Sequence, residues 1–87
     1  MKSAKDYRVT VLGYSSTCPI PLDNEAIALI EAVVGRSADS DREVGTGRYL
    51  EWFFDTNRYA HKIQRGLTKA CVGHPAIYSI SMEHCGE

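Results

Sequence analysis

The stretch from Gly47 to Ala70, GRYLEWFFDTNRYAHKIQRGLTKA, decides the fold. Leu50, Trp52 and Phe54 fall on one side of a period-two strand, and Tyr49, Glu51 and Phe53 on the other. The first set has no charge, so it faces the core. Asp55-Thr56 supplies a helix cap, and a helix follows from Asn57 to about Ala70. Tyr59, Ile63, Leu67 and Ala70 recur at helical spacing, with Ala60 alongside, and form its apolar stripe. Arg58, His61, Lys62, Arg65 and Lys69 fall away from that stripe, and no acid accompanies them. Gly66 costs about 1 kcal/mol relative to Ala inside a helix, which points to close packing there.

Upstream, Gly45-Thr46-Gly47 reads as a hairpin turn. Ser37 to Gly45 holds Asp39, Asp41, Arg42 and Glu43 and reads as a short edge strand blunted by charge. Asn24 to Val34 is a helix with Asp23 as N-cap and Gly35 as C-cap. Its core face is Ala26, Ile27, Ile30, Val33 and Val34. Tyr7 to Tyr14, YRVTVLGY, alternates Val9 and Val11 with Arg8 and Thr10 and is the first strand. Gly13 to Pro21 is a loop. Ala76 to Met82 is the last strand, after the break Val72-Gly73-His74-Pro75.

The order is βαββαβ. The expected fold class is α+β, the ferredoxin-like split βαβ, in one domain spanning residues 1–87. Right-handed crossovers put two helices on one face of a four-stranded antiparallel sheet in the order 4-1-3-2. In that order the last strand lies at an edge. Ala76 to Met82 has no charge and no interior proline, so it is expected to pair in a homodimer or with a partner's strand.

With 44% hydrophobic and 24% charged residues the composition is that of a globular chain, which excludes a disordered one. The net charge of −1 argues against a dedicated nucleic-acid binder, but its distribution is uneven. Residues 20–56 hold eight acids and three bases, whereas the second helix holds Arg58, Lys62, Arg65 and Lys69. The ordinary explanation of such bias is a solvated surface. The first residues, MKSAKDYRV, lack the apolar run of a signal peptide, and Ala26 to Ile30 is too short to span a bilayer. A cytoplasmic location with free thiols is expected, with no membrane partner.

Chemistry-bearing patterns are sparse. Cys71-x-x-His74 has knuckle spacing and His84-Cys85 follows. Strand neighbours point to opposite faces, however, so no structural metal and no cofactor are expected. Cys18 lies in the SSTCPIP loop before the first helix, but no histidine stands nearby in sequence to act as its base, so no catalytic residue is assigned. GRYLEWFF resembles the aromatic third strand of RNA recognition motifs, with Tyr49 at a stacking position and Tyr7 or Tyr14 adding another. Glu51 holds the second position, where it repels phosphate, and the motif's glycines are missing.

Taken together, YRVTVLGY, NEAIALIEAVV, GRYLEWFFDT and YAHKIQRGLTKA resemble the small phage-encoded inhibitor proteins, anti-CRISPR proteins among them. These are compact single domains without enzymatic motifs, some with a βαββαβ pattern. The resemblance implies a non-enzymatic protein in a bacterial host's cytoplasm that occludes a surface of a CRISPR effector complex. It carries over no site residues. The residues themselves nominate Arg58, His61, Lys62, Arg65 and Lys69 as charged contacts, and Tyr49 and Phe53 as aromatic anchors. A small RNA-binding or regulatory module of the same topology is the alternative reading, and a small enzyme the third.

Overall fold

The computed structural model describes residues 6–84. The elements run β1 (Tyr7–Tyr14), α1 (Asn24–Val34), β2 (Ser40–Val44), β3 (Gly47–Phe54), α2 (Asn57–Ala70) and β4 (Ile77–His84). The fold is α+β. One antiparallel sheet has the order β2-β3-β1-β4, which is the expected 4-1-3-2 order read from the opposite edge.

Alternation along the strands sorts side chains onto two faces. Val9 pairs with Trp52 and Val11 with Leu50, and these four are fully buried. They form one core with Ala26, Ile30 and Val34 of α1 and Ala60, Ile63 and Leu67 of α2, so both helices cover the same face of the sheet. The opposite face carries Arg8, Thr10 and Leu12 of β1 against Phe53, Glu51 and Tyr49 of β3. No helix covers it.

Local signals set the helix ends. The Asp23 carboxylate accepts the Ala26 N–H at 3.0 Å, and the Gly35 N–H returns to the Glu31 carbonyl. The Thr56 hydroxyl accepts the Tyr59 N–H at 3.2 Å. The β2–β3 hairpin turns on Gly45-Thr46, with Val44 opposite Gly47 and Gly45 at φ +62°, a conformation that favours glycine. At Gly13 a Cβ would stand 2.8 Å from Leu22 Cδ2 and 3.0 Å from the Ala76 carbonyl oxygen, so only glycine lets these segments approach.

Some details depart from the sequence pattern. Tyr59 is 46% exposed, because it lies at the rim of the core edge-on to Phe54. Ala70 is exposed as well, and Cys71 closes the buried stripe of α2 instead. Gly66 faces Val33 with room for a methyl group at 3.4 Å, so packing does not demand glycine there. β4 extends past Met82 to His84, so it also carries Glu83, which pairs with Arg8.

Trp52 is fully buried, and its indole N–H donates to the Arg36 carbonyl at 3.1 Å. Replacing it with alanine removes both the packing and that hydrogen bond. Trp52→Ala is expected to cost about 3–5 kcal/mol, close to the whole stability of so small a domain. Thermal and denaturant unfolding measure this; an unchanged melting point would place Trp52 outside the core.

Candidate functional site

The outer face of α2 is the strongest candidate. Ala60, Ile63 and Leu67 turn inward, which leaves Arg58, His61, Lys62, Arg65 and Lys69 exposed. Arg58, His61, Lys62 and Arg65 line one shallow hollow of about 480 Å³. None of these side chains forms an ion pair among the described residues. The basic groups of β1, β2 and β3 behave otherwise: Arg8 pairs with Glu83 and Glu51, Arg42 with Glu51, and Arg48 with Asp41.

The placement costs stability. Arg58–Lys62 and Arg65–Lys69 are like charges one turn apart, each destabilising a helix by about 0.2–0.5 kcal/mol. Arg58 also stands in the first turn, at the positive end of the helix dipole, with no acid in that turn. Folding alone does not ask for this arrangement.

The two aromatic candidates do not join that face. Tyr49 lies on the uncovered side of the sheet, its ring under the Arg42 guanidinium at 5.1 Å. Phe53 shares a separate hollow of about 510 Å³ with Arg36, Asp55 and Tyr59, beside the start of α2. The nominated set therefore divides between the helix surface, the foot of that helix and the far face of the sheet.

Sequence reading missed the charge network on the uncovered face. Glu51 is only 6% exposed, held by Arg42 at 3.3 Å and Arg8 at 3.6 Å. Its signal was visible only in hindsight, as one carboxylate between two arginine-bearing strands. Arg48 is likewise fixed, bidentate to Asp41 at 2.8 and 3.0 Å and donating to the Leu22 carbonyl. The Arg48 hydrogen bonds hold the Asp41 carboxyl below its ordinary range and raise the guanidinium in turn.

The thiols fall in different settings. Cys71 is buried at the end of α2, and burial pushes its thiol above the usual range. His74 turns to its own loop, where Nδ1 accepts the Ala76 N–H at 3.1 Å. His84 stacks on Tyr7 at 4.8 Å, and Cys85 lies outside the described residues. Cys18 is half-buried and donates weakly to the Thr46 carbonyl at 3.6 Å.

The chain matches no protein-family model, no curated protein and no solved structure. No helix among the described residues is long and apolar enough to cross a membrane.

Peptide-resolved alkylation with iodoacetamide at mildly alkaline pH separates the thiols. Cys18 is expected to react in the native protein, and Cys71 only after unfolding, because the thiolate is the nucleophile. Equal native rates at the two positions would mean that the end of α2 is open.

Proposed function

We propose that this chain is a small non-enzymatic binding protein that docks the α2 surface onto an acidic patch of a larger assembly and occludes it. A CRISPR effector complex is the class of assembly to which the resemblance points. The observation that carries the reading is the row Arg58, Lys62, Arg65 and Lys69. Among the described residues these cations have no ion-pair partner along their helix face, where like charges weaken the helix that bears them. A partner's carboxylates convert that cost into attraction and fast association.

A protein partner is favoured over a nucleic acid for two reasons. The chain as a whole is slightly acidic, and Tyr49, the residue nominated for base stacking, lies across the sheet from these cations. The outer edge of the last strand, from Ala76 to Met82, belongs to the same proposal as a place for a partner strand or a second copy, since β1 is the one strand neighbour of β4 among the described residues.

Reversal of Arg58, Lys62 and Arg65 to Glu tests the surface. Stability is expected to stay within about 0.5 kcal/mol per site, since the side chains are exposed. Wild type is expected to bind poly-glutamate with an affinity that falls as salt rises, and the variant to lose that binding. In a bacterium with an active CRISPR system, wild type is expected to protect a targeted phage and the variant to fail. Equal protection by both proteins would move the surface elsewhere. Preferential binding of duplex DNA or RNA by wild type would replace the protein partner with a nucleic acid.

A further inference from the structure

β4 closes the sheet with an edge that its own side chains do not guard. From Ile77 to Met82 it carries no charge, and Glu83 beyond is taken up by Arg8. The other edge strand, β2, carries Asp41, Arg42 and Glu43. A bulge is another common protection of an edge, and β4 has one only near its start. The β1–β4 register shifts between Leu12 and Gly13, so that Ser79 faces Leu12 and Ile77 faces Gly13. Tyr78 is the extra residue there, exposed and edge-on to Tyr14. From Ser79 to His84 the strand runs in regular register.

Hydrogen-bond directions alternate along β1. The Tyr14 N–H goes to the Ala76 carbonyl at 3.1 Å, and the next N–H, of Ser15, goes the other way to the Thr46 carbonyl at 2.8 Å. Carried back along the strand, this makes Leu12 and Thr10 address β4, where they face Ser79 and Ser81. The N–H and C=O groups of Ile80 and Met82 therefore point off the sheet, and no described strand meets them. Their side chains lie half-buried at the rim of the core, whereas Ser79 and Ser81 are exposed on the uncovered face.

We propose that two copies of this chain pair β4 to β4, antiparallel about a twofold axis at Ile80. This narrows the edge role proposed above to one occupant; it rests on that role and not on the α2 cations. Outward-pointing backbone groups call for a strand, and the strand's own side chains suit a copy of itself. About Ile80, isoleucine meets isoleucine, Ser79 meets Ser81 and Met82 meets Tyr78. Glu83 falls opposite Ile77, so no like charges oppose each other. The flank of α2 beside the seam is uncharged too. Gly66 faces Val33 of α1, so helix geometry puts Gln64 and Thr68 on the opposite flank, toward β4, which α2 also contacts. Gln64 is half-buried, and the Thr68 hydroxyl donates to the Gln64 carbonyl at 2.9 Å. Two α2 helices then approach across the seam with neutral side chains, and Arg58, Lys62, Arg65 and Lys69 stay on the outer surface. The dimer is one continuous sheet with the helices of both copies on one face, and it presents two rows of cations to a single partner.

Amide hydrogen exchange of the ¹⁵N-labelled full chain at low and high protein concentration tests the proposal, with sedimentation giving the mass. The Ser79 and Ser81 amides, bonded to β1, are expected to be protected at every concentration. Those of Ile80 and Met82 are expected to gain about tenfold or more protection as the dimer fills. The double variant Ser79→Lys with Ser81→Lys is expected to fold and stay monomeric, since both side chains are exposed and the lysines repel across the seam. The matching Ser79→Glu with Ser81→Glu variant is expected to be monomeric as well, and an equal mixture of the two to associate. The Arg58, Lys62 and Arg65 charge reversal is expected to leave the dimer intact, so this proposal and the α2 surface fail separately. A wild type that is monomeric at every concentration overturns the proposal and leaves the edge to a partner's strand. Protection of Ile80 and Met82 that is independent of concentration overturns it too, because the chain then covers its own edge. So does a dimer in which these two amides stay unprotected, or a mixture of the lysine and glutamate variants that does not associate.

Discussion

The Trp52 indole is shut between the sheet and the two helices, and its one N–H goes to the Arg36 carbonyl just after α1. That contact is both packing and register. An apolar ring of this size is a large share of what a short chain can bury, and a buried indole N–H needs an acceptor. By reaching Arg36, Trp52 fixes the path from α1 into β2. The same loop is stitched to β3 by the Arg36 guanidinium on the Phe53 carbonyl and the Asp39 carboxylate on the Phe53 N–H. The Asp39 N–H donates in turn to the Glu51 carbonyl. The edge strand β2, whose own residues bury little, is held by what precedes it.

Once Trp52, Leu50 and Phe54 point inward, Tyr49, Glu51 and Phe53 must point outward, since alternate strand residues take opposite faces. Glu51 then stands on a face that no helix covers, and neighbouring side chains nonetheless bury it. Two arginines compensate the charge. Removing either leaves a buried carboxylate short of a partner, whereas the whole group gives little net stability over an apolar replacement. The network matters more for what it does to the surface. It neutralises this half of the uncovered face, while the outer face of α2 stays cationic.

The elements were legible where one local signal dominated. Asp23 and Thr56 cap their helices as their residue types predict, and Gly45 turns the hairpin. The Val9–Val11 and Leu50–Trp52–Phe54 alternations gave the core face. Less legible were features that depend on cross-strand partners. The bulge that turns Tyr78 outward follows from the β1–β4 pairing, which no residue pattern within β4 announces. The burial of Glu51 depends on Arg8 and Arg42 from two other strands. Tyr59 has core spacing but lies 46% exposed at the rim, its ring edge-on to Phe54. Of the candidate site, the basic helix face was readable from Arg58 to Lys69, since it needs only helical spacing. The separation of Tyr49 from it was implicit in the strand phase.

The fold turns on one central side chain, Trp52, and the exposed cations of α2 lie outside its core. Because the chain has a single tryptophan, denaturant unfolding followed at once by its fluorescence and by far-UV circular dichroism tests this directly. The two curves are expected to coincide, with native fluorescence shielded from iodide, as for one cooperative unit built around Trp52. A fluorescence transition that precedes loss of secondary structure, or a native tryptophan that iodide quenches, would contradict the account.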